Sequence, residues 1–348
     1  MNIGSMHYYE GEVEEALDYF EKARKLLEQE RNRKSVLKTL VAVYNNISGI
    51  HLVRRNFTSA IETSTEAISF LEEENDVRLK TVALQTLAKA EKESGDIERA
   101  IESYRQVILV SNNKASEEVL LELGSCYLAK NDLDMAQKTF ASILNHSQQT
   151  TREVIRSYDY LARIATVKGA HDEARDHYQH LLEILEGMIP KDENSIAATQ
   201  ANLGMQLLKA GQVVKAMKFF EITVQHFKKK KQWNEVITIG NNYRNELIKN
   251  KDFRKALDIT QEVIIPALKK TKGFVNFNQH FYDAAFLNHL IGETEKGVQF
   301  WRKKREEQFI TKILAPSFMN HPDYNDELNN ELNSQEKLFR SLIKRNDL

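Results

Sequence analysis

Proline, glycine and cysteine are scarce in this sequence. Its 348 residues include 4 prolines, 13 glycines and 1 cysteine, while 41% are hydrophobic and 28% are charged. So few helix breakers and turn residues leave little room for strands or irregular loops, and the composition predicts a chain that is nearly all helix. A single cysteine cannot form an internal disulfide, so Cys126 is expected to be a small core residue.

An excess of charge of one sign is also missing. The 49 basic and 50 acidic residues nearly cancel, which leaves a net charge of −1. This balance argues against a general nucleic-acid or membrane surface. We find neither a signal peptide nor a long apolar run in the sequence, and therefore expect a cytoplasmic protein without a membrane anchor.

What is present is a pattern of small and aromatic residues, clearest at residues 123–143. It consists of one helix face, a turn and a second helix face: Leu123, Gly124 and Tyr127; Asn131 and Asp132; Ala136, Phe140 and Ile143. Small residues at Gly124 and Ala136 would let the two backbones cross closely. The spacing resembles that of the tetratricopeptide repeat (TPR), a pair of antiparallel helices.

The same pattern recurs along the whole chain. A small residue of the second helix returns every 36 to 44 positions, at Ala16, Ala60, Ala100, Ala136, Ala174, Ala216, Ala256 and Gly297. In six repeats an aromatic residue follows four positions later: Phe20, Tyr104, Phe140, Tyr178, Phe220 and Trp301. Thirteen positions earlier lies the residue that we name the first-helix apolar position: Ile3, Ile47, Leu87, Leu123, Leu161, Leu203, Tyr243 and Ala284.

This register predicts an all-α fold, a right-handed superhelical TPR solenoid of about eight helical hairpins plus a C-terminal capping helix. Because a solenoid grows by stacking neighbours, we predict one TPR domain over residues 1–312. Its repeats would lie near 1–30, 35–73, 78–112, 115–146, 152–187, 195–232, 234–270 and 277–312. Residues 313–348 would form a linker and the capping helix.

Several local features carry expectations of their own. The chain begins inside a first helix without a polar cap, so we expect a longer protein upstream; the alternative is a degenerate first repeat. Asn194 or Ser195 should cap the next helix, and Pro266 should kink or end the helix around it. The lysine run 228–231 should complement a helix dipole.

Residues that carry catalysis are hard to find. The motif His177-x-x-His180 has metal-ligand spacing, but no third ligand is evident, so a surface pair is expected rather than a metal site. Neither a glycine-rich phosphate loop nor a nucleophile motif is present in the sequence. We therefore expect no enzyme activity, no cofactor and no metal.

Asparagines on first helices are the main candidates for binding. Asn46, Asn202 and Asn242 each immediately precede the first-helix apolar position, and would therefore project at equivalent places along the groove that first helices line in a TPR stack. An amide both donates and accepts hydrogen bonds, so it can hold the backbone of an extended peptide. The alternative is that these asparagines cap or bridge adjacent helices. Gln85 and Asn245 are further candidates.

A second candidate surface lies in the fifth repeat. Arg156, Asp159, Tyr160 and Arg163 follow at three- and four-residue spacing, so their side chains point to one side of a helix. We regard Arg156, Asp159 and Arg163 as candidate ligand contacts. The alternative is a ladder of ion pairs within the helix, worth a few tenths of a kcal/mol per pair.

Eight helical pairs with periods near 40 and asparagine-bearing first helices resemble the bacterial peptide-pheromone receptors of the Rap, NprR and PlcR group, in an NprR-like form without its N-terminal domain. The resemblance implies an intracellular quorum-sensing receptor that binds a short signalling peptide. It would switch a transcriptional or phosphorelay output, as in sporulation, through conformation or oligomerisation. Its other partners would be a response regulator or, through the missing domain, DNA, and it would form homodimers or tetramers. The alternative is a TPR scaffold that binds a partner protein's tail or helix.

Overall fold

A computed structural model describes residues 2–30, 34–71, 76–112, 115–147, 149–271 and 277–313, with residues 333, 334, 336, 337, 340 and 341. All regular structure in these ranges is helical, and they contain no strand. The contacts divide the chain into two compact units, Met1–Lys168 and Gly169–Leu348, which we name the N-terminal and the C-terminal unit. The prediction of one continuous repeat domain over 1–312 stays a prediction.

The N-terminal unit consists of nine helices among its described residues: α1 (Asn2–Tyr9), α2 (Val13–Glu28), α3 (Lys34–Val53), α4 (Phe57–Ser69), α5 (Val77–Ser94), α6 (Ile97–Val110), α7 (Glu117–Ala129), α8 (Leu133–His146) and α9 (Arg152–Val167). Consecutive helices pack in pairs, from α1 with α2 to α7 with α8. The first helix of one pair also contacts the first helix of the next pair: α3 contacts α5, and α7 contacts α9.

The C-terminal unit repeats this arrangement. Its described helices are α10 (His171–Gly187), α11 (Glu193–Lys209), α12 (Val213–Lys229), α13 (Trp233–Lys249), α14 (Phe253–Ile259), α15 (Ile265–Leu268), α16 (Phe277–Leu290) and α17 (Thr294–Ile313). A π-helical turn (Thr260–Ile264) joins α14 to α15. The pairs are α11 with α12, α13 with the α14–α15 segment, and α16 with α17, and α11 also contacts α13.

The small-residue register is confirmed. All seven alanines that define it are 0% exposed, and the six aromatic residues four positions later are at most 3% exposed. The backbones approach closely at these sites: a Cβ atom added to Gly124 would lie 2.5 Å from the Phe140 ring. Cys126 is buried as predicted, and burial raises the pKa of its thiol to about 11.

Short turns connect the helices of each pair by a common device. One residue adopts a left-handed conformation, such as Gly95 at φ 94° or Asn131 at φ 61°. The next residue then caps the second helix: the side chain of Asp96 accepts from the backbone N–H of Arg99, and that of Asp132 from Met135. Where a left-handed residue ends one helix and a carboxylate caps the next, as before α6, α8 and α14, the chain reverses within two or three residues.

Two local predictions need correction. The cap of α11 is Asp192, whose Oδ1 accepts from the backbone N–H groups of Asn194 and Ser195, each at 3.1 Å, while the Ser195 hydroxyl donates to its Oδ2. Asp192 takes this position because it reaches two free N–H groups at once. Of the two outcomes predicted at Pro266, an end of the helix is wrong, because the helix continues to Leu268; a kink stays a prediction. Proline has no N–H to donate, and the preceding π-helical turn shifts the hydrogen-bond register before it.

The linker and capping helix predicted over residues 313–348 lie largely outside the described residues. Of that segment, Arg340 donates to both carboxylate oxygens of Glu295 on α17, at 2.7 and 2.9 Å. Arg302 on the same helix donates to Glu336 at 3.3 Å. These ion pairs join the described C-terminal residues to α17.

Helix α3 is 20 residues long and rich in apolar residues. Its segment Val36–Val53 is long and apolar enough to cross a membrane by length and composition, which the sequence analysis overlooked. Half of that segment is buried inside the N-terminal unit. This burial is expected for a core helix, whose apolar residues pack against neighbouring helices.

The close crossing at Gly124 predicts a stability effect. Gly124→Ala places a methyl group against the Phe140 ring, which is fully buried and stacked on Tyr160 at 4.7 Å between centroids. The ring cannot move aside without disturbing that stack, so we expect a loss of about 1–3 kcal/mol in the free energy of unfolding, measured by urea denaturation. Gly187→Ala is the control, because its Cβ meets nothing within 4 Å; equal midpoints for both variants would contradict the prediction.

Candidate functional site

Two neighbouring first helices of the C-terminal unit, α11 and α13, are joined by Tyr243. Its hydroxyl donates to the backbone carbonyl of Ala201 at 3.2 Å, and its ring packs on Phe220 at 4.8 Å between centroids. The hydroxyl occupies the space above Gly204, where an added Cβ would lie 2.0 Å from it. Burial raises the pKa of Tyr243 well above its ordinary value, so the hydroxyl keeps the proton that it donates.

This contact sets the distance between two of the predicted site residues. Asn202 follows Ala201 on α11, and Asn242 precedes Tyr243 on α13, so each asparagine is next to one end of the hydrogen bond. Both side chains are exposed. The structure therefore brings Asn202 and Asn242 onto one face, which we name the α11–α13 face.

The asparagines differ from the residues at the same position of other repeats in having no hydrogen-bond partner among the described residues. The residue before the first-helix apolar position is bonded in four repeats with described side chains: Thr86 to Val82, Glu122 to Lys92, Tyr160 to Arg156, and Asp283 to Arg244. In the other three it is Asn46, Asn202 or Asn242. Among the described residues, we find no hydrogen-bond partner for any of these three side chains, so the alternative that they cap or bridge helices finds no support.

The residue before Asn242 adds an acceptor that the sequence analysis missed. Asn241 has its side-chain Oδ1 buried, with no hydrogen-bond partner among the described residues. A buried amide oxygen without a donor is uncommon and costly, so such an atom often marks a place where a ligand or a water completes the bond. Its signal in the sequence was the pair Asn241-Asn242, which repeats the pair Asn45-Asn46 of α3.

Asn245 has a bonded partner on its own helix. Its Oδ1 accepts from Arg244 Nε at 3.2 Å and from a terminal nitrogen of the same guanidinium at 3.1 Å. Arg244 is only 8% exposed and also donates to Asp283 at 2.9 Å and to His280 Nδ1 at 3.1 Å. Asn245 therefore helps to hold a buried cation between α13 and α16, although a role in ligand binding stays a prediction.

The predicted residues of the N-terminal unit fall into two groups. On α9, Arg156 donates to the Tyr160 hydroxyl at 3.0 Å, and Arg163 lies 3.7 Å from Asp159. Both guanidinium groups also lie over the Tyr160 ring, at 5.7 and 5.9 Å from its centroid. These are the contacts within one helix that the alternative predicted, and a ligand role for Arg156, Asp159 and Arg163 stays a prediction.

Asn46 and Gln85 form the second group. They are half-buried on the adjacent helices α3 and α5. The bridge between these helices comes from Asn45 instead, whose amide donates to the Leu79 carbonyl at 3.4 Å. Asn46 lines a pocket between α1 and α3.

The histidines of the predicted surface pair each lie beside a carboxylate of their own helix. His177 is 3.6 Å from Glu173, and His180 is 3.7 Å from Glu183. A different group, His7, Glu10 and Glu12, has ligand atoms close enough for a metal ion. His7 already forms a hydrogen bond with Glu12, and its ring stacks on that of Tyr19 at 5.1 Å between centroids. His7 therefore has a structural role at the α1–α2 turn.

Comparison with known proteins agrees with the helical register. Residues 91–154 and residues 1–33 match family models described as tetratricopeptide repeats. The chain contains TPRs. No protein of curated function matches the sequence.

The TPR chain is also similar to solved structures. One is the C-terminal part of a TPR repeat-containing protein from Cytophaga hutchinsonii, with 14% identity and a TM-score of 0.59 over 78% of this chain and 96% of that one. Another is BtubC (BKLC) from P. vanneervenii, with 18% identity and a TM-score of 0.50 over 61% and 89% of the two chains. At these identities the similarity concerns the fold of the TPR chain.

The buried Arg244 cluster gives this TPR chain a pH-dependent stability. Arginine only donates, so His280 Nδ1 must accept and the ring must be neutral. Burial, with the charge of Arg244, lowers the pKa of His280 below its ordinary 6.5. The unfolded chain therefore takes up this proton at a higher pH than the folded chain does, and stability falls as pH decreases below about 6.5.

Urea unfolding between pH 5 and pH 8 tests this contribution. His51 and His177 also have pKa values lowered by burial and add to the same slope, so the readout is the difference between wild type and His280→Gln. Glutamine can accept from Arg244 but does not titrate. We expect its slope of unfolding free energy against pH to be smaller, by up to about 1.4 kcal/mol per pH unit; identical slopes would refute the role of His280.

Proposed function

We propose that this chain is a protein-interaction scaffold that binds an extended peptide on the α11–α13 face. The observation that supports the proposal is the pair Asn202 and Asn242. Both are exposed and both adjoin the Tyr243–Ala201 hydrogen bond, which holds them at a set distance before any ligand arrives. Preorganised groups lose little freedom on binding, and this favours affinity.

Two amides in this arrangement suit a peptide backbone. Each can donate to a peptide carbonyl and accept from a peptide N–H, whatever side chains the peptide carries. The backbone contacts would supply affinity, and the side chains around them would supply selectivity.

The charges near this face favour backbone binding over capture of a carboxylate terminus. A carboxylate clamp needs a free cation beside the asparagines, and the nearest one in sequence is Arg244. Its guanidinium is bonded to Asn245, His280 and Asp283. Breaking these contacts would leave the Asp283 carboxylate half-buried without its cation, which is costly.

The finer proposal is that the bound peptide is a signal. The equivalent asparagines Asn46, Asn202 and Asn242 support a receptor of the peptide-pheromone type, in which binding changes a transcriptional or phosphorelay output. An adaptor that binds a partner's tail without switching uses the same face and agrees equally well with the TPR fold. The two functions differ in what binding does to the shape or the mass of the protein.

Peptide binding at this face can be tested with a random heptapeptide library displayed on phage. Peptides selected on the wild-type chain should bind Asn202→Ala and Asn242→Ala more weakly by about 1–3 kcal/mol in calorimetry, because each variant leaves a backbone group of the peptide without its partner. Asn234→Ala is the matched control, since it removes an exposed asparagine eight residues earlier on the same helix. Unchanged affinity in both site variants would exclude the α11–α13 face.

Switching is tested with the same selected peptide. A repeat protein contacts mainly its neighbouring repeats, so a ligand across several of them can alter the whole stack by small rotations, provided that it binds one shape better than the other. For a receptor we expect saturating peptide to change the radius of gyration in small-angle scattering or the mass in sedimentation. Identical curves with and without peptide, at an occupancy verified by calorimetry, would leave the adaptor as the function.

A further inference from the structure

Two arginines of the N-terminal unit converge on one aromatic ring of α9. The fully buried Phe140 covers one face of the Tyr160 ring, at 4.7 Å between centroids. The guanidinium groups of Arg156 and Arg163 lie 5.7 and 5.9 Å from the same centroid, and only the opposite face is open to them. We name Arg156, Tyr160 and Arg163 the α9 arginine site. Two like charges share one side of a ring there, which repulsion disfavours unless an anion is near.

Arg156 has the fewer partners of the two arginines. Its side chain is half-buried, and its one hydrogen bond to a described residue goes to the Tyr160 hydroxyl at 3.0 Å. A guanidinium group carries several N–H donors and binds a carboxylate through two parallel hydrogen bonds. Within the described part of the chain, no carboxylate forms an ion pair with Arg156. This arginine therefore keeps donors for a ligand.

Asp159 neutralises the α9 arginine site only in part. Its carboxylate lies 3.7 Å from a terminal nitrogen of Arg163, which is longer than the roughly 2.7–2.9 Å of a charge-assisted hydrogen bond. The Arg163 side chain remains 63% exposed. Two guanidinium groups and one carboxylate leave a single positive charge in excess. One further carboxylate would balance this charge, whereas a phosphate dianion would leave an excess of negative charge beside Asp159.

Comparable cations elsewhere in this chain receive a carboxylate from the neighbouring first helix. Lys92 of α5 donates to Glu122 of α7 at 2.6 Å. Arg244 of α13 donates to Asp283 of α16 at 2.9 Å. In both pairs the carboxylate takes the position before the first-helix apolar residue, which Tyr160 takes on α9. Helix α7 contacts α9, but none of its described residues gives the α9 arginines such a partner. A carboxylate from outside the chain would complete the same kind of pair.

We propose that the α9 arginine site binds the carboxylate side chain of an aspartate or glutamate in a partner peptide. Arg156 donates to it through its remaining N–H groups, and Arg163 supplies the second cation. Tyr160 holds both guanidinium groups in place through its hydroxyl and its ring. An acidic side chain is the group that Asp159 already places beside Arg163, so the site accommodates this chemistry. The site lies in the N-terminal unit and does not depend on the α11–α13 face.

The tripeptide N-acetyl-glycyl-aspartyl-glycinamide is a suitable probe, because its only charge is one carboxylate. Binding is followed by the Nε–Hε resonances of the isotope-labelled full chain at low ionic strength, where screening is weak. The resonances of Arg156 and Arg163 are identified by their loss in Arg156→Gln and Arg163→Gln. We expect both to shift saturably, with a dissociation constant of about 1–10 mM, as befits a small ligand at a surface site. The asparaginyl tripeptide has the same size without the charge and should cause no shift.

Variants separate a binding site from a structural ladder of ion pairs. Arg156→Gln and Arg163→Gln, each read through the remaining arginine, should weaken binding at least about fivefold, because each removes one cation. Asp159→Asn should tighten binding about threefold, because it removes a carboxylate that competes with the ligand. Arg78→Gln is the matched control, since it removes an exposed arginine from another first helix, α5, and should leave binding unchanged.

The proposal is overturned if the aspartyl tripeptide causes no saturable shift, if Arg156→Gln and Arg163→Gln bind it as tightly as wild type, or if Asp159→Asn brings no gain. Two further probes test the identity of the anion. N-acetyl-glycyl-asparaginyl-glycine carries its only carboxylate at the C-terminus, and the phosphoseryl tripeptide carries a dianion. If either binds at least as tightly as the aspartyl tripeptide, an acidic side chain is not the ligand that the site selects.

Discussion

The close crossing of the two helices in each pair is the constraint on which this structure depends. It needs a residue without a bulky side chain on the second helix, which alanine supplies seven times and Gly297 once. Space beside the crossing is filled by a large aromatic residue in most repeats, as Phe140 fills it against Gly124. Because each repeat buries the face of the next within a unit, the pairs of that unit reinforce one another.

The same packing positions the polar residues. Tyr243 takes the first-helix apolar position, yet its hydroxyl reaches across to the Ala201 carbonyl of the preceding first helix. That single bond ties Asn202 to Asn242, which lie beside its two ends. A core contact thus sets the geometry of a surface, so the α11–α13 face is as rigid as the packing beneath it.

Among the residues that precede the first-helix apolar position, charge separates those bonded within the fold from those left available to a ligand. Glu122 and Asp283 precede the first-helix apolar position as the asparagines do, but each is bonded to a basic residue of the neighbouring first helix, Lys92 or Arg244. A carboxylate near other helices needs a cation close by. Asparagine carries no charge and can remain unpaired at an exposed position with little penalty, which leaves it free for a ligand.

The sequence by itself determined the helical pairs, their register and the identity of the core residues. Helix periodicity and the 13-residue offset are local properties, and eight copies of them average out single exceptions. Even so, Asp192 rather than Asn194 or Ser195 caps α11, since three adjacent side chains could each have done so.

Only the tertiary structure decided which polar groups have partners. Arg244 and Asp283 are 39 residues apart in sequence but 2.9 Å apart in space, and Asn45 rather than Asn46 bridges to α5. The pocket between α1 and α3 was equally invisible, because an open space is defined by several helices together. Periodicity tells which way a side chain points, whereas its partner depends on the distance and rotation between helices, and these follow from the packing of the whole unit.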